Sequence, residues 1–125
     1  SMSRPTIRPA TLADISQLID EPLPFRIRAW TVEQDDKVLG VGGFAFQPGG
    51  VIAAFVLKAE GAEKYPLALH KAGRFAMKEA ERSGYRRIVA LAEAANPHAE
   101  PWLERLGFKL KMVDNVKTWI WEASS

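Results

Sequence analysis

The side chains in this sequence that can do chemistry are carboxylates, two histidines and two tyrosines, because the chain of 125 residues contains no cysteine. Thiolate nucleophiles, disulfides and cysteine-ligated zinc are therefore excluded. The sequence has neither the Gly-x-Ser-x-Gly pattern of serine hydrolases nor the phosphate loop of NTPases. Its His, Asp and Glu residues follow no metal-ligand spacing. General acid–base catalysis and ligand binding remain as candidate functions.

Four residues are the first candidates for this chemistry. Glu60 follows one apolar run and Glu93 ends the next, so each carboxylate stands at the end of a predicted strand. Such a group can take up a proton, or it can be a solvated strand-end carboxylate. His70 and His98 lie near the starts of two predicted helices, where an imidazole can contact phosphate or substrate, or can belong to a plain helix surface.

The hydrophobic pattern predicts the elements that must position these residues. Short turns join three successive strands into an antiparallel meander, and the helix that follows allows the next strand to lie parallel to the third as a crossover unit. The pattern predicts one α+β domain, with a mixed, mostly antiparallel sheet of six to seven strands and helices on both faces. In chain order the predicted elements are a strand at 6–9, a helix at 12–20, strands at 27–32, 38–46 and 51–59, a helix at 67–83, a strand at 87–92, a helix from 96 or 98 to 106, and strands at 108–112 and 117–122.

Two of these elements carry more specific expectations. The strand 51–59 is expected to be buried on both faces, because its apolar run is unbroken. The helix 67–83 has Pro66 in its first turn and Gly84 as its end signal. That helix should present one narrow face of mostly small residues, which are Leu69, Ala72, Ala76 and Ala80.

Composition limits the classes of partner. Hydrophobic residues make up 47% and charged residues 26%, with 17 basic against 15 acidic side chains. This balance does not favour nucleic-acid binding, and no apolar run approaches the ~18 residues of a membrane span. We expect a cytoplasmic protein whose domain covers residues 3–125, since no signal-peptide pattern is present and Ser1 before Met2 is typical of tag removal.

The segment 96–108 reads Asn-Pro-His-Ala-Glu-Pro-Trp-Leu-Glu-Arg-Leu-Gly-Phe. It keeps Asn96, Ala99 and the closing Leu-Gly-Phe of a pattern that GNAT N-acetyltransferases often carry after their fifth strand, Asn-x-x-Ala-x-x-x-Tyr-x-x-Leu-Gly-Phe. Together with the element order, this segment resembles the GNAT superfamily. Its residue pattern also resembles that of short GNAT-like proteins of tailed phages. The resemblance implies acetyl-CoA as cofactor and an amine, on a small molecule or a protein, as acceptor.

The resemblance also implies where acetyl-CoA would bind. In the family two neighbouring strands splay apart, and the pantetheine arm pairs with backbone groups in the gap. Here the amides around Leu57 to Ala59 would hold the thioester carbonyl oxygen. Asn96 at a strand end can donate and accept hydrogen bonds, or it can simply cap the helix that follows. Glu60 and Glu93 flank the expected gap and are the candidate general bases.

Two departures from the family pattern bear on activity. The pyrophosphate loop, Arg/Gln-x-x-Gly-x-Gly/Ala, aligns with residues 64–69, where Lys64 keeps the basic charge but Leu67 and Leu69 replace the glycines. Side chains at these positions narrow the approach of a phosphate to the helix N-terminus, although His70 adds a donor nearby. The tyrosine that acts as acid in many members is replaced by Leu103.

The sequence therefore supports two hypotheses. The first is an acyl-CoA-dependent N-acetyltransferase with a degenerate phosphate loop. The second is a GNAT-like fold that has lost catalysis and serves as a binding or structural module. The short segment between residues 18 and 26, where many relatives have another helix, predicts an open acceptor side that a homodimer could cover.

Overall fold

A computed structural model describes residues 3–90 and 99–124. Within them the element order agrees with the sequence pattern, and short 3-10 turns at Pro48–Gly50 and Ala62–Lys64 lie on either side of the fourth strand. The strands are β1 (Thr6–Pro9), β2 (Arg26–Gln34), β3 (Lys37–Gln47), β4 (Val51–Lys58), β5 (Arg87–Ala90), β6 (Lys109–Val113) and β7 (Val116–Glu122). The helices are α1 (Leu12–Ser16), α2 (Pro66–Arg82) and α3 (Ala99–Arg105).

The strands form one seven-stranded sheet in the order β1-β2-β3-β4-β5-β7-β6. Every neighbouring pair is antiparallel except β4 and β5, which the α2 crossover makes parallel. Helix α1 lies on one face, where Thr31 of β2 donates to Asp14. Helix α2 lies on the other face, where Arg28 of β2 pairs with Glu79 at 3.3 Å. The predicted α+β class, meander and crossover are thus confirmed.

Turn chemistry fixes two of the hairpins. Asp35 and Asp36 between β2 and β3 have φ of 55° and 61°, and Asp114 and Asn115 between β6 and β7 have φ of 50° and 66°. Asp and Asn tolerate this left-handed region better than most residues, and two successive residues there match the twist of a hairpin. Asp114 and Asn115 thus form the tight turn that joins β6 and β7.

Helix α2 begins and ends as predicted. Pro66 is its first residue, and Gly84 follows its end with φ of 77°. Its inner side meets the main core, in which Ala80 is fully buried. Trp119 and Trp121 of β7 both belong to this core, so their common side of the strand packs inside the protein.

Helix α1 is shorter than the predicted 12–20. Thr11 caps it in a reciprocal capping box with Asp14, as the sequence indicates, but the helix ends at Ser16. Only Ile15 of its apolar positions is buried, and Leu12 is 84% exposed. An apolar stripe that is not covered supplies little of the tertiary packing that extends short helices.

The expectation that β4 is buried on both faces is wrong. Each of its residues is at least partly accessible, and Val51 and Val56 are each 41% exposed. Most of the strand lines a cleft, so its apolar side chains are not packed on both faces. The strand and its neighbours β3 and β5 agree with the prediction, and only the burial of β4 differs.

A buried carboxylate joins β1, α1 and β2. Asp14 is 4% exposed and accepts two hydrogen bonds from Arg8, at 2.7 and 2.9 Å. The Thr11 backbone N–H and the Thr31 hydroxyl each donate to it at 2.8 Å. The hydrogen bonds from Arg8 hold the pKa of Asp14 well below its ordinary range, against the opposing effect of burial.

We predict that Asp14→Asn lowers the free energy of unfolding at pH 7 by roughly 2 kcal/mol, because hydrogen bonds to a charged group are lost in a buried site. A depressed folded-state pKa stabilises the protein above the ordinary value of 3.8 and loses that effect as the pH falls below it. Urea unfolding should therefore show a difference between wild type and variant that shrinks from pH 7 to pH 3. Asp20→Asn, at an exposed position, is the control, and a difference independent of pH would contradict the assignment.

No helix among residues 3–90 and 99–124 is long and apolar enough to cross a membrane.

Candidate functional site

The candidate site is a cleft that runs along β4. Strand β4 pairs with β3 along its whole length, from Gln47↔Val51 to Gly40↔Lys58. With β5, the described residues pair only at Ala53↔Val89. Beyond this point residues 54–58 of β4 line a cleft of about 730 Å³, which also has walls from β2, β3, α2 and α3. This volume is within the range of small-molecule sites.

The alternation of hydrogen-bonded and non-hydrogen-bonded pairs between β3 and β4 shows which backbone groups of β4 point away from β3. The Ala59 N–H donates to the Leu39 carbonyl at 2.9 Å, which makes Leu39↔Ala59 a hydrogen-bonded pair. Hydrogen-bonded and non-hydrogen-bonded pairs alternate along an antiparallel ladder, so Leu57 also directs its polar backbone groups toward β3. Val56 and Lys58, which also line the cleft, direct theirs away from β3. The amides expected around Leu57 to Ala59 thus narrow to Lys58 within that segment, with Val56 beside it, and their role in binding stays a prediction.

The N-terminus of α2 lies at the mouth of the cleft. Pro66, Leu69 and His70 line it, whereas Leu67 does not and is 77% exposed. Only one of the two leucines that replace glycines in the loop thus restricts access. Pro66 has no N–H, and the Leu69 N–H bonds the Tyr65 carbonyl at 3.1 Å, which leaves the amides of residues 67 and 68 at the helix start.

Helix α3 forms the opposite wall by packing closely on α2. A Cβ on Gly73 would lie 2.8 Å from Cζ2 of Trp102 and 3.1 Å from Cδ1 of Leu106. The Lys58 Nζ lies 5.8 Å from the centroid of the Trp102 ring, a cation–π contact that spans the cleft. Leu103, at the position of the family's tyrosine, is buried in the core.

Two buried polar atoms on the cleft walls have no hydrogen-bond partner in the described part of the chain. They are Nδ1 of His70, near the start of α2, and Nε1 of Trp102, on α3. Buried polar groups are nearly always satisfied, so these two atoms are exceptions on the cleft walls. The indole N–H can only donate a hydrogen bond, whereas an imidazole nitrogen can donate or accept one.

The structure brings together some of the residues predicted from sequence. Leu57, Leu69 and His70 line the cleft, and Ala59 is bonded to β3 just beyond it. Glu60 and Lys64 are exposed on the segment between β4 and α2 and are not part of the lining, so a role for either stays a prediction. Three predicted residues lie outside the described part of the chain, namely Glu93, Asn96 and His98.

The sequence analysis did not single out several residues whose positions line the cleft, above all the side chain of Lys58 and the residues Glu63, Gly73 and Trp102. One signal was available, because a glycine inside a helix is unfavourable and indicates a close neighbour. The positions of Lys58 and Glu63 carry no comparable signal. Among residues 3–90 and 99–124, no group of three or more His, Cys, Asp or Glu side chains could hold a metal ion.

The fold is similar to those of solved acetyltransferase structures. A Bacillus subtilis acetyltransferase in complex with CoA matches with a TM-score of 0.74 at 13% identity, over 97% of this chain and 100% of that chain. A Salmonella typhimurium protein with its cofactor acetyl-CoA matches with a TM-score of 0.78 at 17% identity, over 98% and 96%. An N-acetyltransferase of Staphylococcus aureus matches with a TM-score of 0.72 at 18% identity, over 98% and 99%.

No family model matches this chain, and no curated protein matches it in sequence. At identities this low the structural likeness establishes the fold, which is that of GNAT acetyltransferases. Activity and acceptor are separate questions, because one fold can host unrelated functions.

We predict that Gly73→Ala destabilises the protein by about 1 kcal/mol, since the collision with Trp102 outweighs the higher helix propensity of alanine. In a Trp102→Leu background the same substitution should become stabilising. Urea unfolding of the wild type, the two single variants and the double variant measures the change in the free energy of unfolding that Gly73→Ala causes in each background. Stabilisation by Gly73→Ala in the wild-type background would contradict the close packing of α3 on α2.

Proposed function

We propose that this protein binds an acyl-CoA in the cleft between β4 and β5 and transfers the acyl group to an amine. The observation that carries the proposal is the pair of backbone amides at Val56 and Lys58, which point away from the β3 ladder on a stretch of β4 that lines the cleft. Amides at alternate residues can pair with an extended, amide-containing arm in the way that one strand pairs with the next. The fold shared with proteins that hold CoA and acetyl-CoA supports the same reading.

The phosphate end of the cofactor would lie at the start of α2. The amides of residues 67 and 68 and the helix dipole favour an anion there, and His70 lines the cleft beside them. Lys64 and Lys71 are exposed nearby and add positive charge. Leu69 occupies part of the approach, so we expect most of the affinity to come from the pantetheine arm.

Bound acyl-CoA would supply an activated thioester, and the protein would supply position and electrostatics. The Val56 or Lys58 amide would hold the carbonyl oxygen, where negative charge develops during acyl transfer. Glu60 and Glu93 remain the proposed bases for an ammonium acceptor. Because Leu103 cannot donate a proton, we propose that solvent replaces the family's tyrosine as the acid.

Calorimetric titration of CoA and acetyl-CoA tests the proposal. We expect saturable binding with a Kd in the micromolar range. No heat at millimolar ligand, with a folded sample, would overturn the acyltransferase proposal. That result would favour the alternative hypothesis, a GNAT-like binding or structural module without catalysis.

We predict that Leu69→Gly tightens CoA binding by about tenfold, because it opens the approach to the amides at the start of α2. Leu67→Gly is a matched control, since Leu67 is in the same helix turn but is 77% exposed and outside the cleft. Calorimetry on the three proteins measures the effect. Equal gains in both variants would show that backbone flexibility, and not the Leu69 side chain, limits binding.

A further inference from the structure

The cleft is larger than a two-carbon acyl group requires. From the opening beside β5 it continues beneath α2, across β4 and β3, to Trp30 and Val32 of β2. Neighbouring strands are ~4.8 Å apart, so this extension reaches about 10 Å beyond β4. At its far end the Trp30 ring meets Phe75 of α2 edge to face, with ring centroids 5.6 Å apart.

Small residues on both walls create this extension. Strand β3 contributes Gly42, and α2 faces it with Ala72 and Ala76. A Cβ on Gly42 would reach no atom closer than 3.4 Å, so the glycine leaves room instead of relieving a severe collision. Residues between a helix and a sheet are normally close-packed, yet Gly42, Ala72 and Ala76 remain partly accessible.

The chemistry of the walls changes along the cleft. Charged side chains, namely Lys58, Glu63 and Arg105, come from the end of β4, the turn before α2 and the end of α3. The part beneath α2 is lined by aliphatic and aromatic side chains, among them Trp30, Val32 and Val56. An occupant should therefore have one polar end near β4 and α3 and one apolar end beneath α2.

We propose that the extension beneath α2 binds the hydrocarbon chain of a medium-chain acyl-CoA, so that this protein prefers acyl groups of roughly six to ten carbons over acetyl, a length set by the ~10 Å that two strand spacings provide. The inference rests on the proposed function, because the polar end of the ligand is the acyl-CoA held at Val56 and Lys58. It names the substrate class that the shape of the cleft selects.

Calorimetric titration with CoA, acetyl-CoA, hexanoyl-CoA and octanoyl-CoA tests the preference by affinity alone. We expect affinity to rise with chain length, and octanoyl-CoA to bind at least tenfold more tightly than acetyl-CoA, since each buried methylene contributes favourably. Equal affinities for acetyl-CoA and octanoyl-CoA would overturn the inference while leaving the proposed function intact. Absence of binding by every ligand would overturn the proposed function itself.

Ala76→Leu should abolish the preference, because its larger side chain fills the extension, while the affinity for free CoA should stay within about twofold. Gly42→Val fills the same space from β3 and serves as the test variant if Ala76→Leu does not fold. Lys78→Leu, on the exposed side of α2, controls for added hydrophobicity. A chain-length preference that survives both filling variants would show that the hydrocarbon binds elsewhere, and would overturn the inference.

Discussion

The unequal pairing of β4 on its two edges is the constraint on which the site depends. One edge is fully hydrogen-bonded to β3, whereas the described residues of β5 meet the other edge only at Ala53↔Val89. Backbone amides are obligatory hydrogen-bonding groups, so the amides of β4 that do not pair with β3 need partners on its other edge. The continuous β3 ladder fixes which residues, Val56 and Lys58, present those groups.

The two helices on this face have opposite effects on the cleft. Helix α2 carries small residues toward the sheet and so leaves space above β3, whereas α3 packs tightly on α2 through Trp102 against Gly73. Leu69 at the start of α2 occupies part of the approach to the helix N-terminus. Under the proposed function, ligand selection would therefore depend more on backbone pairing and the apolar walls than on the phosphate end.

Much of this fold could be predicted from sequence, because the decisive signals are local. Pro66 and Gly84 bound α2, and the hairpin at Asp114 and Asn115 follows from residues that tolerate positive φ. The burial of β4 could not be predicted, since an apolar run looks the same beside a strand and beside a cleft. The phase of the backbone amides could not be predicted for a related reason: a shift of one residue in the β3 ladder would exchange Leu57 and Ala59 for Val56 and Lys58.

Amide hydrogen exchange with and without CoA tests the central claim most directly, because it reports on single backbone N–H groups. The account predicts that the amides of Val56 and Lys58 exchange rapidly in the free protein and are protected at least tenfold at saturating CoA. The amides of Leu57 and Ala59, already directed to β3, should be slow in both states. Saturating CoA that leaves exchange at Val56 and Lys58 unchanged would contradict the account.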